Sequence, residues 1–350
     1  MLTSDFEYKL PPERIAQSPI NPRDACRLLV LDRDSGRIEH RVFSDIIEFI
    51  NPEDILVVNE TKVMPARLIG TRSGGGVAEL LLIKRIEARN ANEEYWEALV
   101  RPGKRLKPGS TIQFKGITAE IVEWAPSREK GERIVRLITD SKATFSDALH
   151  KTGVLPLPPY ITSFQGDPSE YQTVYAVHED SAAAPTAGLH FTSELLKRIR
   201  EKGIRIETVD LSVGLDTFRP ITEASIEEHD IHSERYTVNQ HTIEAIDETK
   251  RKSGRVIAVG TTTVRSLESA WDKIELHLVP RIDETTSLYI TPGYQFKVVD
   301  ALVTNFHAPR STLLALVSAF SKREILLNAY QEALAGNYRF LSFGDAMFMY

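Results

Sequence analysis

The stretch "VIAVGTTTVRSLES" (256–269) sets a glycine, Gly260, between an apolar run and three threonines, Thr261, Thr262 and Thr263. A buried strand that stops at a glycine and turns into a helix offers free backbone N–H groups and the positive end of the helix dipole. That combination suits a phosphate or a carboxylate. Gly260 permits close approach, the hydroxyls add hydrogen-bonding groups, and Arg265 follows in the same helix. The alternative is one threonine acting as an N-cap while the rest packs. The stretch is not a P-loop, because G-x-x-x-x-G-K-[ST] is absent.

Other stretches repeat the theme. "AAAPTAGLHF" (182–191) places Pro185, Thr186 and Gly188 ahead of His190 and Phe191, a permissive backbone that runs into a helix. "DLSVGLDTFRPI" (210–221) ends a strand at Gly214, then offers Thr217 and Phe218; Phe218 suits stacking on a base, or plugs a turn. "LVTNFHAPRSTLL" (302–314) presents Asn305 and His307 before a helix capped by Ser311 or Thr312. "VNETKVMPARL" (58–68) carries Asn59, Thr61, Lys62 and Arg67, and "TPGYQF" (291–296) is a turn at Gly293 and Tyr294. Ligands of open α/β sheets sit beyond the carboxyl ends of strands. Several such ends converging on one edge would form a pocket with polar and aromatic walls; otherwise each is a separate turn.

"EEHDIHSERY" (227–236) spaces His229, His232 and Glu234 as H-x-x-H-x-E. It lacks H-E-x-x-H and a third ligand, so no metal is expected. His232 and Glu234 read better as an acid–base or hydrogen-bonding pair. G-x-S-x-G, kinase motifs and G-x-G-x-x-G are all absent, which leaves a Rossmann-type dinucleotide or methyltransferase site unsupported.

The elements that must position these residues follow from the pattern. "LPPERIAQSPINPRD" holds four prolines and is irregular or extended, with Arg14 and Arg23 projecting. "RLLVLDRDSGRIEHRVF" reads as a hairpin, "FSDIIEFI" as a short helix capped by Ser44, and "DILVVNETKV" as a buried strand. From Lys62 to His150, short alternating runs separated by Gly and Pro predict an inserted small antiparallel β-barrel, residues 62–150. Residues 1–61 and 151–350 form the larger α/β domain with the expected active site. There, "TSELLKRIREKG" and "TIEAIDETKRKSG" are amphipathic helices, "IRIETVDLSVG" and "FKVVDALVTNFH" are strands, and "STLLALVSAFSKREILLNAYQEALA" is one long helix or two shorter ones.

Composition narrows the class. The 350 residues are 42% hydrophobic and 26% charged, with a formal net charge of -6, so bulk electrostatic attraction to nucleic acid is excluded. Local basic patches remain: Arg101, Lys104, Arg105 and Lys107 in "RPGKRLKPG", further cations in "REKGERIVR", and Arg14 and Arg23. The single cysteine, Cys26, rules out an internal disulfide and a cysteine-rich zinc site. "MLTSDFEYKLPPERIAQ" has charges throughout, unlike a signal peptide, and no apolar run reaches a membrane span, so the expected location is the cytoplasm.

Taken together these stretches resemble the S-adenosylmethionine:tRNA ribosyltransferase-isomerase family of queuosine biosynthesis. "LPPERIAQSPINPRDACRLLVLDR", "YQTVYA", "HSERY", "VDALVTNFHAP" and "NYRFLSFGDAMF" extend the likeness over nearly the whole chain. The resemblance implies an α/β domain with an inserted barrel. It implies transfer of the ribosyl part of S-adenosylmethionine onto 7-aminomethyl-7-deazaguanine at the tRNA wobble position, with isomerisation to epoxyqueuosine and loss of adenine and methionine. S-adenosylmethionine is then a consumed cosubstrate, no further cofactor is needed, and a monomer is the working expectation. His190, His232, His307 and Glu234 become candidates for proton transfer. Phe191 and Phe218 become candidates for stacking, and the Gly260–Thr263 helix start for holding the methionine carboxylate or a tRNA phosphate. The chain departs from the family's commoner pattern at Asp180, Ala182, Ser212, Asp216 and Ala308. A tRNA-binding homologue impaired in catalysis by Ser212 and Asp216 is the alternative reading.

Overall fold

The computed structural model describes residues 1–126, 131–139, 144–214, 217 and 219–350. Asp216, Phe218 and part of "REKGERIVR" lie outside the described residues. The chain divides into two compact units. The first comprises Met1–Lys62, Pro158–Glu179 and Ala184–Tyr350; the second comprises Val63–Leu157 and Asp180–Ala183.

The first unit is built on a nine-stranded sheet among the described residues, in the order 281–286, 234–238, 205–211, 55–59, 256–259, 301–305, 346–349, 27–31 and 38–42. Four neighbours, Arg205–Leu211, Ile55–Asn59, Val256–Val259 and Ala301–Asn305, run parallel. Three of them, "ILVVN", "VIAV" and "ALVTN", are buried at every position, as strands covered on both faces must be. Being parallel and adjacent, the four deliver their carboxyl ends to one edge of the sheet. Strands 234–238 and 346–349 flank them antiparallel, and 27–31 pairs parallel with 346–349, so the sheet is mixed. Its core gathers Leu28, Val30, Leu56, Val58, Ile257, Val303 and Phe348 with Leu195, Leu196 and Ile199 of the helix Ser193–Glu201.

Thr192 caps that helix, its hydroxyl accepting from Leu195 N at 3.1 Å. Ser311 caps Thr312–Phe320 in the same way, and Arg323–Ala335 follows as a second, separate helix. Ser44 is not a cap: Phe43–Glu48 is a 3₁₀ helix whose start is tied by the Asp45 carboxylate accepting from Val42 N.

The second unit is a closed antiparallel barrel of six strands among the described residues, in the order 132–139, 93–101, 77–90, 67–72, 111–114 and 117–124. Period-2 burial is clear in Glu93–Arg101, where Glu94, Trp96, Ala98 and Val100 turn inward. Closure leaves no free sheet edge. The unit runs past His150 to Leu157, because the helix Phe145–Thr152 packs Phe145, Ala148 and Leu149 into the barrel core.

Candidate active site

Within the first unit, a pocket lies at the shared carboxyl edge of the parallel strands. It is lined by Ala184, Pro185, Thr186, Ala187, Val213, Thr217, Gly260, Thr261, Thr262, Thr304, Asn305, His307 and Leu313. Each wall comes from a different strand end, so the chain's separate turns are one site. Gly260 is the hinge of its wall. Its φ of 89° is a left-handed value that a side chain would strain, and it lets the chain pass from strand 256–259 straight into the helix Thr261–Ser269. The helix begins in the pocket lining, where its first N–H groups have no intrahelical acceptor.

The hydroxyls of this helix do not all serve the pocket. Thr263 Oγ1 donates to Val259 O at 2.7 Å and is fully buried, so Thr263 locks the turn rather than facing a ligand. Asn59 is likewise fully buried and saturated. Its side-chain nitrogen donates to Leu211 O and Thr262 Oγ1, and its oxygen accepts from the backbone N–H groups of Thr61 and Leu211. Asn59 therefore ties three elements at the pocket edge without lining it. Thr61 is also fully buried, and Lys62 pairs loosely with Glu179 at 4.0 Å. Neither lines the pocket. Arg67 belongs to the second unit and bonds Glu79 at 2.8 Å.

The turn Thr186–His190 is a 3₁₀ helix that presents its residues to two sides. Pro185 and Thr186 line the pocket, with Thr186 Oγ1 donating to Asn305 Oδ1 at 2.9 Å. Gly188 faces elsewhere: a Cβ there would meet Tyr175 Oη at 1.9 Å, so the glycine is needed for that close packing. His190 is buried behind Asn305. Its Nε2 lies 3.1 Å from Asn305 Nδ2 and its Nδ1 3.2 Å from Cys26 Sγ. Burial, with the charges of Arg23 and Arg339, pushes its pKa well down. Phe191 is a core residue, edge-on to Phe43 at 4.9 Å, and has no open face for a base. Proton transfer by His190 and stacking by Phe191 are therefore corrected to structural roles.

His307 does line the pocket. Its Nε2 contacts Thr304 Oγ1 at 2.8 Å, and burial pushes its pKa down to about 3. At neutral pH it is an uncharged hydrogen-bonding group, not a proton donor of the imidazolium kind.

Behind Thr217 stands an ionic network. Glu234 Oε1 accepts from Gly214 N at 3.0 Å and Thr217 Oγ1 at 3.2 Å, and lies 3.1 Å from His232 Nε2. Its other oxygen takes Arg265 Nη1, while Arg265 Nε donates to Leu288 O at 3.1 Å. Burial alone would raise the Glu234 pKa. The Arg265 charge, His232 and the Gly214 N–H outweigh it and hold the group at about 2. Glu234 is thus a permanent carboxylate, saturated with donors and outside the pocket lining, which corrects its reading as an acid–base group. Arg265 is corrected in the same way, from substrate contact to counter-ion. Among the described residues His232 reaches the pocket through Thr217, 3.4 Å away, and His229 is occupied with Glu223 at 3.1 Å. Among the described residues no cluster of three or more His, Cys, Asp and Glu could hold a metal ion.

Gly293 and Tyr294 also fall outside the lining. Tyr294 Oη donates to Glu268 Oε2 at 3.1 Å, and Glu268 further accepts from the backbone N–H groups of Lys297, Val298 and Val299. Sequence reasoning missed Glu268. The available signal was a carboxylate three residues beyond Arg265 in a helix otherwise rich in small and apolar residues.

In the second unit, Arg101, Lys104, Arg105 and Lys107 are all exposed on one loop. Arg133, read in the sequence as one more cation of the basic stretch "REKGERIVR", instead holds that loop from below. It is 2% exposed, donates to Leu106 O and Gly103 O at 2.9 and 2.8 Å, and lies 3.7 Å from the Trp124 ring centroid. Of the N-terminal cations, Arg14 bonds the Asn337 side chain. Arg23 turns inward to Leu189 O at 2.9 Å, which corrects its reading as a surface phosphate contact.

A family model described as "Queuosine biosynthesis protein" matches residues 3–349. The chain is 48% identical over 352 residues to the S-adenosylmethionine:tRNA ribosyltransferase-isomerase of Acetivibrio thermocellus, covering all of both chains. It is 49% identical over 350 residues to the protein of the same name from Clostridioides difficile, covering 99% of each. A crystal structure of S-adenosylmethionine tRNA ribosyltransferase from Thermotoga maritima is similar, with a TM-score of 0.54 and 37% identity over 99% of this chain and 100% of that one.

Proposed function

Because the chain belongs to the queuosine biosynthesis protein family of S-adenosylmethionine:tRNA ribosyltransferase-isomerases, we propose that the pocket at residues 184–313 is where its two substrates meet. The enzyme is a transferase and isomerase. It moves the ribosyl group of S-adenosylmethionine onto the aminomethyl nitrogen of 7-aminomethyl-7-deazaguanine in tRNA and rearranges it to epoxyqueuosine. Adenine and methionine leave. S-adenosylmethionine is consumed as a cosubstrate, and no separate cofactor enters this reading.

The observation that carries the site is the convergence of Val213, Gly260 and Asn305, which follow or end three of the four parallel strands, around one pocket. The N–H groups at Thr261 and Thr262 supply donors and a positive dipole end for an anionic substrate group, a carboxylate or a phosphate. Thr186 has committed its proton to Asn305, so it offers the pocket lone pairs. His307 offers an uncharged imidazole. Thr217 is held by Glu234, which fixes that wall. The exposed loop 101–107 binds tRNA phosphates, which accounts for nucleic-acid binding by a protein of net negative charge. No helix among the described residues is long and apolar enough to cross a membrane. Its tRNA substrate leads us to place the enzyme in the cytoplasm, as a monomer.

Incubation with S-adenosylmethionine and tRNA bearing the aminomethyl base should release adenine. Thr261→Asp, which sets a fixed negative charge where the anionic group would bind and suits a helix start, should reduce that release at least tenfold while the protein remains folded. Unchanged release by this variant would overturn this assignment of the pocket.

A further inference from the structure

Behind the turn Thr186–His190, on residues of the first unit alone, the structure holds two guanidinium groups that are only partly satisfied. Arg23 spends its Nε on Leu189 O, and its Nη1 and Nη2 are buried without a hydrogen-bond partner among the described residues. Arg339 spends one nitrogen on Ser18 O at 3.0 Å, and its Nη2 is buried and unpartnered. Both cations sit at the turn 339–345: Arg23 lies over the Phe343 ring, and Arg339 O closes the turn by accepting from Asp345 N at 2.8 Å. Each acts electrostatically on both His190 and Cys26, and Arg339 acts on Arg23. Burial brings the Arg23 pKa down to about 10, with Cys26 and Glu170 opposing it and Arg339 adding to it.

The nearby carboxylates do not compensate. Asp345 uses one oxygen on Arg27 N and the other on the Arg339 backbone N–H. Asp24 accepts from Thr192 Oγ1. Glu170 attracts Arg23 from a distance but forms an ion pair with neither guanidinium among the described residues.

Unpartnered hydroxyls border the same turn. Tyr171 is fully buried, and its Oη lies beside the Ala184 backbone and the Ser342 side chain. Its ring stands at 82° to Phe343, the ring over which Arg23 lies at 5.4 Å. Thr173 is 5% exposed with Oγ1 unpartnered, and Tyr175 Oη, also unpartnered, packs against Gly188. Buried, unpartnered guanidinium nitrogens and orphaned hydroxyls are costly unless an acceptor-rich partner joins them.

We propose that Arg23 and Arg339 form a second binding site, for a small terminal oxyanion. A guanidinium fork matches two oxygens of such a group. The burial of the unpartnered atoms favours a terminal group over an internal phosphodiester of a tRNA strand, whose chain continues on both sides. A carboxylate or a free phosphate fits the same donors. The first would come from the methionyl end of the cosubstrate, a source that rests on the proposed function; the second is independent of it.

The test is thermal melting and calorimetric titration of the whole protein with L-methionine and, separately, with inorganic phosphate, each against chloride at matched ionic strength. At least one should bind saturably and raise the wild-type melting temperature by several degrees. A response to methionine alone assigns the site to the cosubstrate carboxylate, and a response to phosphate alone assigns it to a free anion. Arg339→Gln should weaken the response at least tenfold. Arg339→Lys, which keeps the charge and the reach to Ser18, should fold and still bind at least tenfold more weakly. No response beyond chloride, or wild-type binding by both variants, would overturn the site whether or not the enzyme releases adenine.

Discussion

His190 Nε2 sits 3.1 Å from Asn305 Nδ2, and this contact orients a chain of groups that ends in the pocket. Asn305 Nδ2 also meets Leu341 O, which can only accept, so the amide nitrogen must face that side. His190 Nε2 therefore accepts, and its proton sits on Nδ1, towards Cys26 Sγ. Asn305 Oδ1 is left to accept from Thr186 Oγ1, which commits the threonine proton and turns its lone pairs outward. His190 acts through Asn305 and Thr186 as a positioning residue. His190→Phe keeps the contact with Phe43 but cannot accept from Asn305. It should destabilise the fold by about 1–3 kcal/mol and lower kcat at least tenfold with little change in KM. The acid limb of the pH–rate profile should stay where it is, whereas loss of that limb would mark His190 as a proton-transfer group.

Acid sensitivity follows from two buried neutral histidines. Both His190 and His307 have pKa values pushed below the ordinary histidine value, His307 to about 3. Between the unfolded pKa near 6.5 and the folded value, the unfolded chain binds the extra proton. Stability is thus present above pH ~6.5 and lost on acidification through that window, by about 1.4 kcal/mol per pH unit for each group. Denaturant melts from pH 7 to pH 5 should show this slope. His307→Gln should flatten it by roughly one proton's worth; an unchanged slope would mean that His307 is charged in the folded protein.

Much of the site was legible because strand ends announce themselves. Gly260 followed by three threonines, Asn305 before a proline turn, and Gly214 after an apolar alternation all marked carboxyl ends, and parallel pairing then brought their walls together. Side-chain direction was not legible. In a 3₁₀ turn, neighbours point to different sides, so Thr186 reaches the pocket while Phe191, at the turn's end, enters the core. Nor could residue type show that Glu234 and Arg265 would neutralise each other, since the two lie on different elements. Arg133 sits in a strand whose pairing shifts register between Ile134 and Val135, which breaks the alternation that would have marked it as inward-facing.

The Glu234–Arg265 pair separates stability from positioning. Glu234→Gln leaves Arg265 buried without its counter-charge and should cost about 3–5 kcal/mol. Replacing both residues, Glu234→Leu with Arg265→Met, removes two charges together and should recover most of that stability in denaturant melts. It should not recover activity, because Thr217 and Gly214 N lose the carboxylate that holds them at the pocket wall. Full adenine release by the double variant would show that the wall needs no such anchor.

Arg133 offers the sharpest test of the basic loop, because it supports the loop without being exposed with it. Its guanidinium holds the carbonyls of Gly103 and Leu106, which lie between the exposed Arg101, Lys104, Arg105 and Lys107. Arg133→Met should free the loop and raise the Kd for tRNA about tenfold, since each charge-assisted bond removed is worth roughly 1.5–3 kcal/mol and only part of that reaches the binding step. The KM for S-adenosylmethionine should not move. The slope of log Kd against log salt should also stay as in the wild type, because Arg133 neutralises no phosphate. Charge reversal of Arg101, Lys104 and Arg105 together should instead flatten that slope by about one unit for each phosphate no longer neutralised. If Arg133→Met flattens it equally, Arg133 itself binds a phosphate and the supporting role is wrong.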